Sequence, residues 1–174
     1  MNKILDRPLV TFALFAFNQE KFIREAVNAA LNQEYESLEI ILSDDCSTDS
    51  TFEIIKSIAS EYAGPHKLII NKNSINLGLA KHFSEIVRMA QGEIIVVAAG
   101  DDISLPQRVL KTVEILSADS EASFVSFTDI LIDENGKERE SLKIVKHKKI
   151  LEITLAEYLS ENSFAFSGAS RGFK

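Results

Sequence analysis

Five short apolar runs alternate along this chain with four stretches whose apolar residues recur at helical spacing. The runs cover residues 9–17, 38–43, 68–70, 94–98 and 124–127. They are rich in Val, Ile, Leu and Phe, and the first has no polar face, as befits a central strand covered on both sides. Between them lie four apolar stripes. The first is Phe22, Ile23, Ala26, Val27, Ala30 and Leu31; the second is Phe52, Ile55, Ile58, Ala59 and Tyr62. The third is Phe83, Ile86, Val87 and Ala90; the fourth is Val109, Leu110, Val113 and Leu116. Each is one face of an amphipathic helix. Strict alternation of strand and helix predicts a three-layer α/β/α sandwich with a mainly parallel sheet. Ser50-Thr51-Phe52-Glu53 reads as a capping box that opens the second helix. Pro106 reads as a first-turn proline of the fourth. After residue 132 the regularity weakens: Asp133-Glu134-Asn135-Gly136 reads as a hairpin turn, residues 143–149 are basic, and Thr154 opens a last short helix.

The chain of 174 residues suffices for one domain with a sizeable core. Its net charge of -7 argues against nucleic acid as the main partner. A lone cysteine, Cys46, permits no disulfide within the chain and fits a reducing compartment. Residues 9–17 follow Lys3 and Arg7, loosely as in a signal peptide, but nine residues are too few to span a membrane. A buried first strand is the better reading.

Two acidic pairs stand where function is expected. Asp44-Asp45 ends the second strand, and Asp101-Asp102 follows the fourth through Gly100. Open α/β sheets bind ligands outside the carboxyl ends of their strands. Adjacent carboxylates are costly unless a cation or a hydrogen-bond donor faces them. At residues 43–50 a turn with a helix cap competes with a carboxylate that accepts a hydrogen bond from a base or ribose. Gly100-Asp101-Asp102 is read either as a turn or as a site for a divalent cation, with Gly100 admitting a close ligand. The dinucleotide, P-loop and nucleophile-elbow signatures are absent. His66, His82 and His147 have no close metal-ligand spacing and read as surface or partner-bonded residues.

Taken together, several segments resemble family 2 glycosyltransferases of the GT-A fold. They are residues 17–23, Asp44-Asp45-Cys46-Ser47-Thr48-Asp49-Ser50-Thr51, Asn76-Leu77-Gly78, residues 90–95 and Ala99-Gly100-Asp101-Asp102-Ile103-Ser104-Leu105-Pro106. The resemblance covers roughly residues 8–130. It implies transfer of a sugar from a nucleotide-diphosphate donor, a UDP-sugar first of all, to a glycan or lipid-linked acceptor hydroxyl in bacterial-type surface polysaccharide synthesis. By position, Phe15, Ala16, Phe17, Asp44, Asp45, Lys81 and Asp101 would bind the nucleotide. Asp101 and Asp102 would hold Mn²⁺ or Mg²⁺ against the diphosphate. Ala99 stands where the family's metal motif usually has its first Asp. The catalytic base and most of the acceptor site are expected beyond Lys174, so that residues 1–174 form a single donor-binding domain without them. The resemblance further implies a cytoplasmic protein, peripheral at the inner membrane face in its full-length form. A module that binds a sugar nucleotide without transferring it remains open; a nucleotidyltransferase ranks lower for want of a Gly-rich phosphate loop after the first strand.

Overall fold

The computed structural model describes residues 7–127, 130–133, 136–138 and 171–173. The first half alternates β1 (Val10–Ala16), α1 (Ile23–Leu31), β2 (Leu38–Asp44), α2 (Thr51–Glu61) and β3 (Lys67–Lys72). It continues with α3 (Leu79–Met89), β4 (Ile94–Ala99), α4 (Arg108–Ala118) and β5 (Phe124–Ser126). A strand that periodicity does not mark, β6 (Arg171–Phe173), returns antiparallel between β4 and β5. Three residues are too few to display a period, so β6 owes its place to the sheet edge it fills.

The sheet order is β3-β2-β1-β4-β6-β5, and β1 pairs in parallel with both β2 and β4. Alternation along β1 sorts its side chains between two cores. Val10, Phe12, Leu14 and Ala16 join the larger one, built with Ile23, Ala26 and Val27 of α1, Ile55 of α2, and Val109, Val113 and Leu116 of α4. Ala13 turns to the other face, where Ile41 and Ile86 of α3 are buried and Phe15 packs against them. Three helices thus cover one face and α3 covers the other. This is the expected three-layer α/β/α architecture, with unequal outer layers.

Three local readings are corrected. The Ser50 side chain makes no cap bond; Asp49 Oδ1 accepts the Thr51 N–H instead. Pro106 lies in the turn ahead of α4 rather than in its first turn. On α3 the buried residues are His82 and Ile86, whereas Val87 is exposed. The Asp133 turn is present: its N–H donates to the Lys137 carbonyl, and Ile132 bridges Glu138. The basic stretch at 143–149 and the helix expected at Thr154 lie outside the described residues.

At the amino end of the strands sits a buried carboxylate, Glu39 of β2. It accepts the Thr11 hydroxyl at 2.7 Å, the Gln91 N–H at 2.6 Å and the Lys67 ammonium at 3.2 Å. It thereby joins β1, β3 and the α3–β4 turn beneath the sheet.

Candidate functional site

The chain goes to one side of β1 for β2 and β3, then crosses back to the other side for β4. A crevice therefore opens at the carboxyl end of β1. Adjacent strands lie about 4.8 Å apart, so the tips of β2 and β4 stand about 10 Å apart with β1 between them. Register places Asp44 beside Ala16 and Ala99 beside Phe15. The two acidic pairs consequently flank the end of β1, one on either side.

The loops after β1 and β2 are stitched together by the polar residues of the first acidic motif. The Asn18 N–H donates to Ser47 Oγ at 2.8 Å, and the Gln19 N–H to Thr51 Oγ1 at 2.7 Å. Asn18 Oδ1 accepts the Thr48 N–H at 2.9 Å. The Glu20 N–H donates to Asp49 Oδ2, and Glu20 Oε2 accepts the Ser50 N–H. Asn18 and Cys46 both have left-handed backbones, with φ of 52° and 63°. Asn adopts that region more readily than most residues. The run from Ser47 to Thr51 is thus occupied with holding two loops in register.

Asp44 belongs to that scaffold. It is fully buried, and its two oxygens accept the Ser47 N–H and the Ser47 hydroxyl. Asp45 faces the other way. It lines a cleft of about 270 Å³ with Ala16, Phe17, Asn76, Gly78, Leu79 and His82. Its Oδ1 accepts the Asn73 amide at 2.7 Å and the Leu77 N–H at 2.9 Å; its Oδ2 accepts the Gly78 N–H at 2.9 Å. Gly78, with φ of 73°, caps α3 in a conformation that side chains disfavour. Both backbone donors and the positive end of α3 are thereby turned on Asp45. Burial pushes the Asp45 carboxyl up, but the donors from Leu77, Asn73 and Gly78 outweigh it and hold it below the usual range. The group is an anion at neutral pH, and only an acceptor.

His82, on the first turns of α3, is the residue sequence reading left out of the site. Its Nε2 lies 2.6 Å from Ser43 Oγ, which also accepts the Asn71 amide at 3.0 Å. Phe15 meets the His82 ring edge-on at 5.2 Å and stacks with Phe83 at 5.9 Å. Burial lowers His82 below the usual imidazole range, against the pull of Asp45 and Asp44, so the ring is neutral at pH 7. The signal available beforehand was its spacing four residues ahead of Ile86, on the inward face of α3.

The remaining expected residues fall as follows. Ala16 and Phe17 line the cleft; Phe15 stands behind it, against His82. Lys81 is exposed on α3 and does not line the cleft. Asp101 and Asp102 are exposed at the β4 tip, beyond the Gly100 N–H that donates to the Phe15 carbonyl at 2.8 Å. A Cβ at Gly100 would lie 2.5 Å from Gln19 Oε1 and 2.9 Å from Ile23 Cδ1. Gly100 thus admits the protein's own β1–α1 loop, and that packing fixes where Asp101 emerges. Among the described residues no three His, Cys, Asp or Glu side chains gather as a metal cage. The donor chemistry at the β4 tip still suits a hard cation, since magnesium is commonly held by one or two carboxylates plus substrate phosphates.

A pH dependence follows from these carboxylates. Glu39, Asp45 and Asp49 all have folded values held down by hydrogen bonds, against the opposing push of burial. A depressed carboxylate contributes stability above its unfolded value, and that stability is lost as pH falls through the folded value. Thermal melts are expected to be flat down to about pH 4.5 and to drop steeply below about pH 4. A melting temperature unchanged between pH 5 and pH 2.5 would contradict this.

The glycosyl transferase family 2 model matches residues 11–174. The putative glycosyltransferase EpsE of Bacillus subtilis (strain 168) is 35% identical over 129 residues, 74% of this chain and 46% of that protein. A relative from Escherichia coli, the UDP-Glc:alpha-D-GlcNAc-diphosphoundecaprenol beta-1,3-glucosyltransferase WfaP, is 28% identical over 127 residues, 73% of this chain and 48% of its own. The chain spans about half the length of these relatives. Among solved structures, the mannosyltransferase PcManGT from Pyrobaculum calidifontis, in complex with GDP-Man and Mn²⁺, superposes with a TM-score of 0.65 and 26% identity, covering 70% of this chain and 36% of that one. The sheet order, the crevice at the end of β1 and these matches agree: the chain belongs to glycosyl transferase family 2 and has the GT-A fold.

Proposed function

We propose that this chain binds a nucleotide-diphosphate sugar, a UDP-sugar first of all, in the cleft between the tips of β2 and β4, for transfer of the sugar to a glycan or lipid-linked acceptor hydroxyl. The observation that carries the reading is Asp45: a buried anion, spent on three donors, that still lines an open cleft. A carboxylate has about four acceptor positions, so one on Oδ2 is left for an incoming N–H. Uracil, thymine and guanine present a ring N–H; cytosine and adenine present a bare nitrogen there. Phe17, 45% exposed at the mouth, offers a surface for the base or ribose. Two similar proteins carry such donors in their names or complexes, UDP-Glc for WfaP and GDP-Man with Mn²⁺ for PcManGT.

Asp101 and Asp102 are the residues that would hold Mn²⁺ or Mg²⁺. When bound, the ion supplies neutralisation of the diphosphate charge. What the chain itself does is orient the nucleotide: Asp45 fixes the base at one side of β1, and the β4 tip receives the phosphates at the other. Lys81, near the start of α3, adds a long-reaching positive charge. A base outside the residues named here takes the acceptor proton, and transfer proceeds with inversion in one displacement. Surface polysaccharide synthesis, at the inner face of the membrane, is the setting this chemistry fits. No helix among the described residues is long and apolar enough to cross a membrane. Since the chain spans about half the length of its relatives, binding without transfer is the second reading. Turnover of a UDP-sugar by the 174-residue chain separates the two.

The test is calorimetric titration of UDP, GDP and dTDP with and without Mn²⁺. In wild type, Mn²⁺ is expected to tighten UDP binding. In Asp101→Ala the ratio of affinities with and without Mn²⁺ is expected to fall to near one, with metal-free binding unchanged. An Asp101→Ala variant that responds to Mn²⁺ like wild type refutes the metal assignment.

A further inference from the structure

Between Asp45 and His82 runs a chain of hydrogen bonds that fixes more than packing. Asp45 Oδ1 accepts the Asn73 amide, and Asn73 Oδ1 accepts the Asn71 amide at 3.1 Å. Asn71 also donates to Ser43 Oγ, and Ser43 stands 2.6 Å from His82 Nε2. The amides fix the polarity of this chain as far as Ser43 Oγ, which accepts from Asn71 and keeps its own proton to donate; the last link is set by the His82 tautomer. In the tautomer that takes the Ser43 proton, Nε2 accepts and the ring proton resides on Nδ1. Among the described residues nothing takes that proton, and the ring lines the cleft beside Asp45. In that tautomer the residues that line the cleft include an acceptor, Asp45, and a donor, His82.

An acceptor beside a donor is the complement of an N–H beside a carbonyl. Uracil and thymine carry that pair at N3–H and O4, and guanine at N1–H and O6. Cytosine and adenine carry the reverse, a bare nitrogen beside an amino group. Orientation in the cleft selects which uracil carbonyl is involved. The diphosphate is drawn toward the β4 tip, and the ribose leaves the ring on the O2 side. His82 is held by Ser43 of β2, on the opposite side of β1 from β4. The carbonyl remote from the ribose is thus the one turned toward His82.

We propose that His82 is a specificity-determining residue of the nucleotide cleft, its Nδ1–H donating to the exocyclic carbonyl (O4 of uracil, O6 of guanine) next to the N–H that Asp45 accepts. This rests on the nucleotide reading given above and adds a second point of base recognition to it. An unpaired donor facing an amino group is penalised, so two matched positions discriminate more than one.

The experiment measures UDP and CDP affinity on the whole 174-residue chain, by competition against a fluorescent nucleotide, in wild type, Asp45→Ala, His82→Leu and His82→Asn. Wild type is expected to prefer UDP over CDP. His82→Leu loses about tenfold in UDP affinity, the worth of one hydrogen bond, while CDP is little changed or improved. His82→Asn, which keeps an N–H donor near the Nδ1 position, restores most of the UDP preference. A second arm needs no substitution: 4-thio-UDP, whose sulfur is a poor acceptor, binds wild type about fivefold to tenfold more weakly than UDP. If UDP binds in an Asp45-dependent manner but 4-thio-UDP matches it, or a folded His82→Leu keeps the wild-type UDP to CDP ratio, the His82 assignment is overturned alone. If no nucleotide binds, or binding ignores Asp45→Ala, the nucleotide reading fails and takes His82 with it.

Discussion

Asp45→Asn is expected to abolish measurable UDP binding and to lower unfolding stability by about 3 kcal/mol. Asn is the same size and shape, so the effect is one of hydrogen-bond polarity. The Asp45 oxygens face donors on both sides, the Asn73 amide and Leu77 N–H at Oδ1 and the Gly78 N–H at Oδ2. Whichever way the new amide is turned, its NH₂ meets at least one of them. A buried donor left facing a donor costs about 1–3 kcal/mol, and the site is 3% exposed. The segment from Asn73 to Gly78 would lose its tether, and with it the placement of α3 against the cleft. On the proposed reading, a bound base loses its anionic acceptor in the same step. Urea unfolding and UDP calorimetry on this variant check both halves. A folded Asp45→Asn that binds UDP as wild type does would remove Asp45 from the site, whatever the stability result.

Glu39→Leu is expected to cost about as much, roughly 3 kcal/mol, and to leave nucleotide affinity unaltered in the protein that remains folded. Glu39 is 1% exposed and serves three donors from different parts of the chain. Of these, Lys67 is about half exposed and can return to water. The loss is concentrated at the Thr11 hydroxyl, which is fully buried; Gln91 is an exposed residue. Thr11 Oγ1 also accepts the Gly92 N–H at 2.9 Å, so the damage spreads to the turn that feeds β4. Glu39→Gln keeps one acceptor and should cost less than half as much. Glu39 lies at the amino end of β2 and the cleft at its carboxyl end, about 15–20 Å away along the strand. Similar losses of stability, with UDP binding abolished in one variant and unaltered in the other, would separate the two buried carboxylates, Glu39 of β2 and Asp45 just beyond its end, into a structural and a functional one. A Glu39→Leu protein as stable as wild type would show that water satisfies those donors.

Among the described residues, the helices and the strands β1 to β4 were legible because each shows its period or is a dense apolar run, and β5 because Phe124-Val125 belongs to a short apolar run that follows a helical stripe. The placement of two acidic pairs at strand ends was legible for the same reason: once the strands are known, so are their ends. Other features were not. Ser50 and Glu53 have capping-box spacing, yet the cap bond goes to Asp49, because Glu20 from another loop takes the Ser50 N–H. Gly100 stands beside an acidic pair, and local spacing gave no sign that Gln19 and Ile23 crowd it. In each case the partner comes from more than 25 residues away, where local spacing carries no information.

The two acidic pairs themselves show the division most plainly. The order of apolar runs and stripes was sufficient to specify an α/β/α sandwich and to put Asp44-Asp45 and Asp101-Asp102 at strand tips, since burial of one face sets those periods whatever the rest of the chain does. Which carboxylate of the first pair serves the scaffold and which serves the cleft was decided only in three dimensions. Adjacent residues of an extended chain point to opposite sides, and it is the approach of Ser47 on one side, and of Asn73, Leu77 and Gly78 on the other, that gives identical side chains different work.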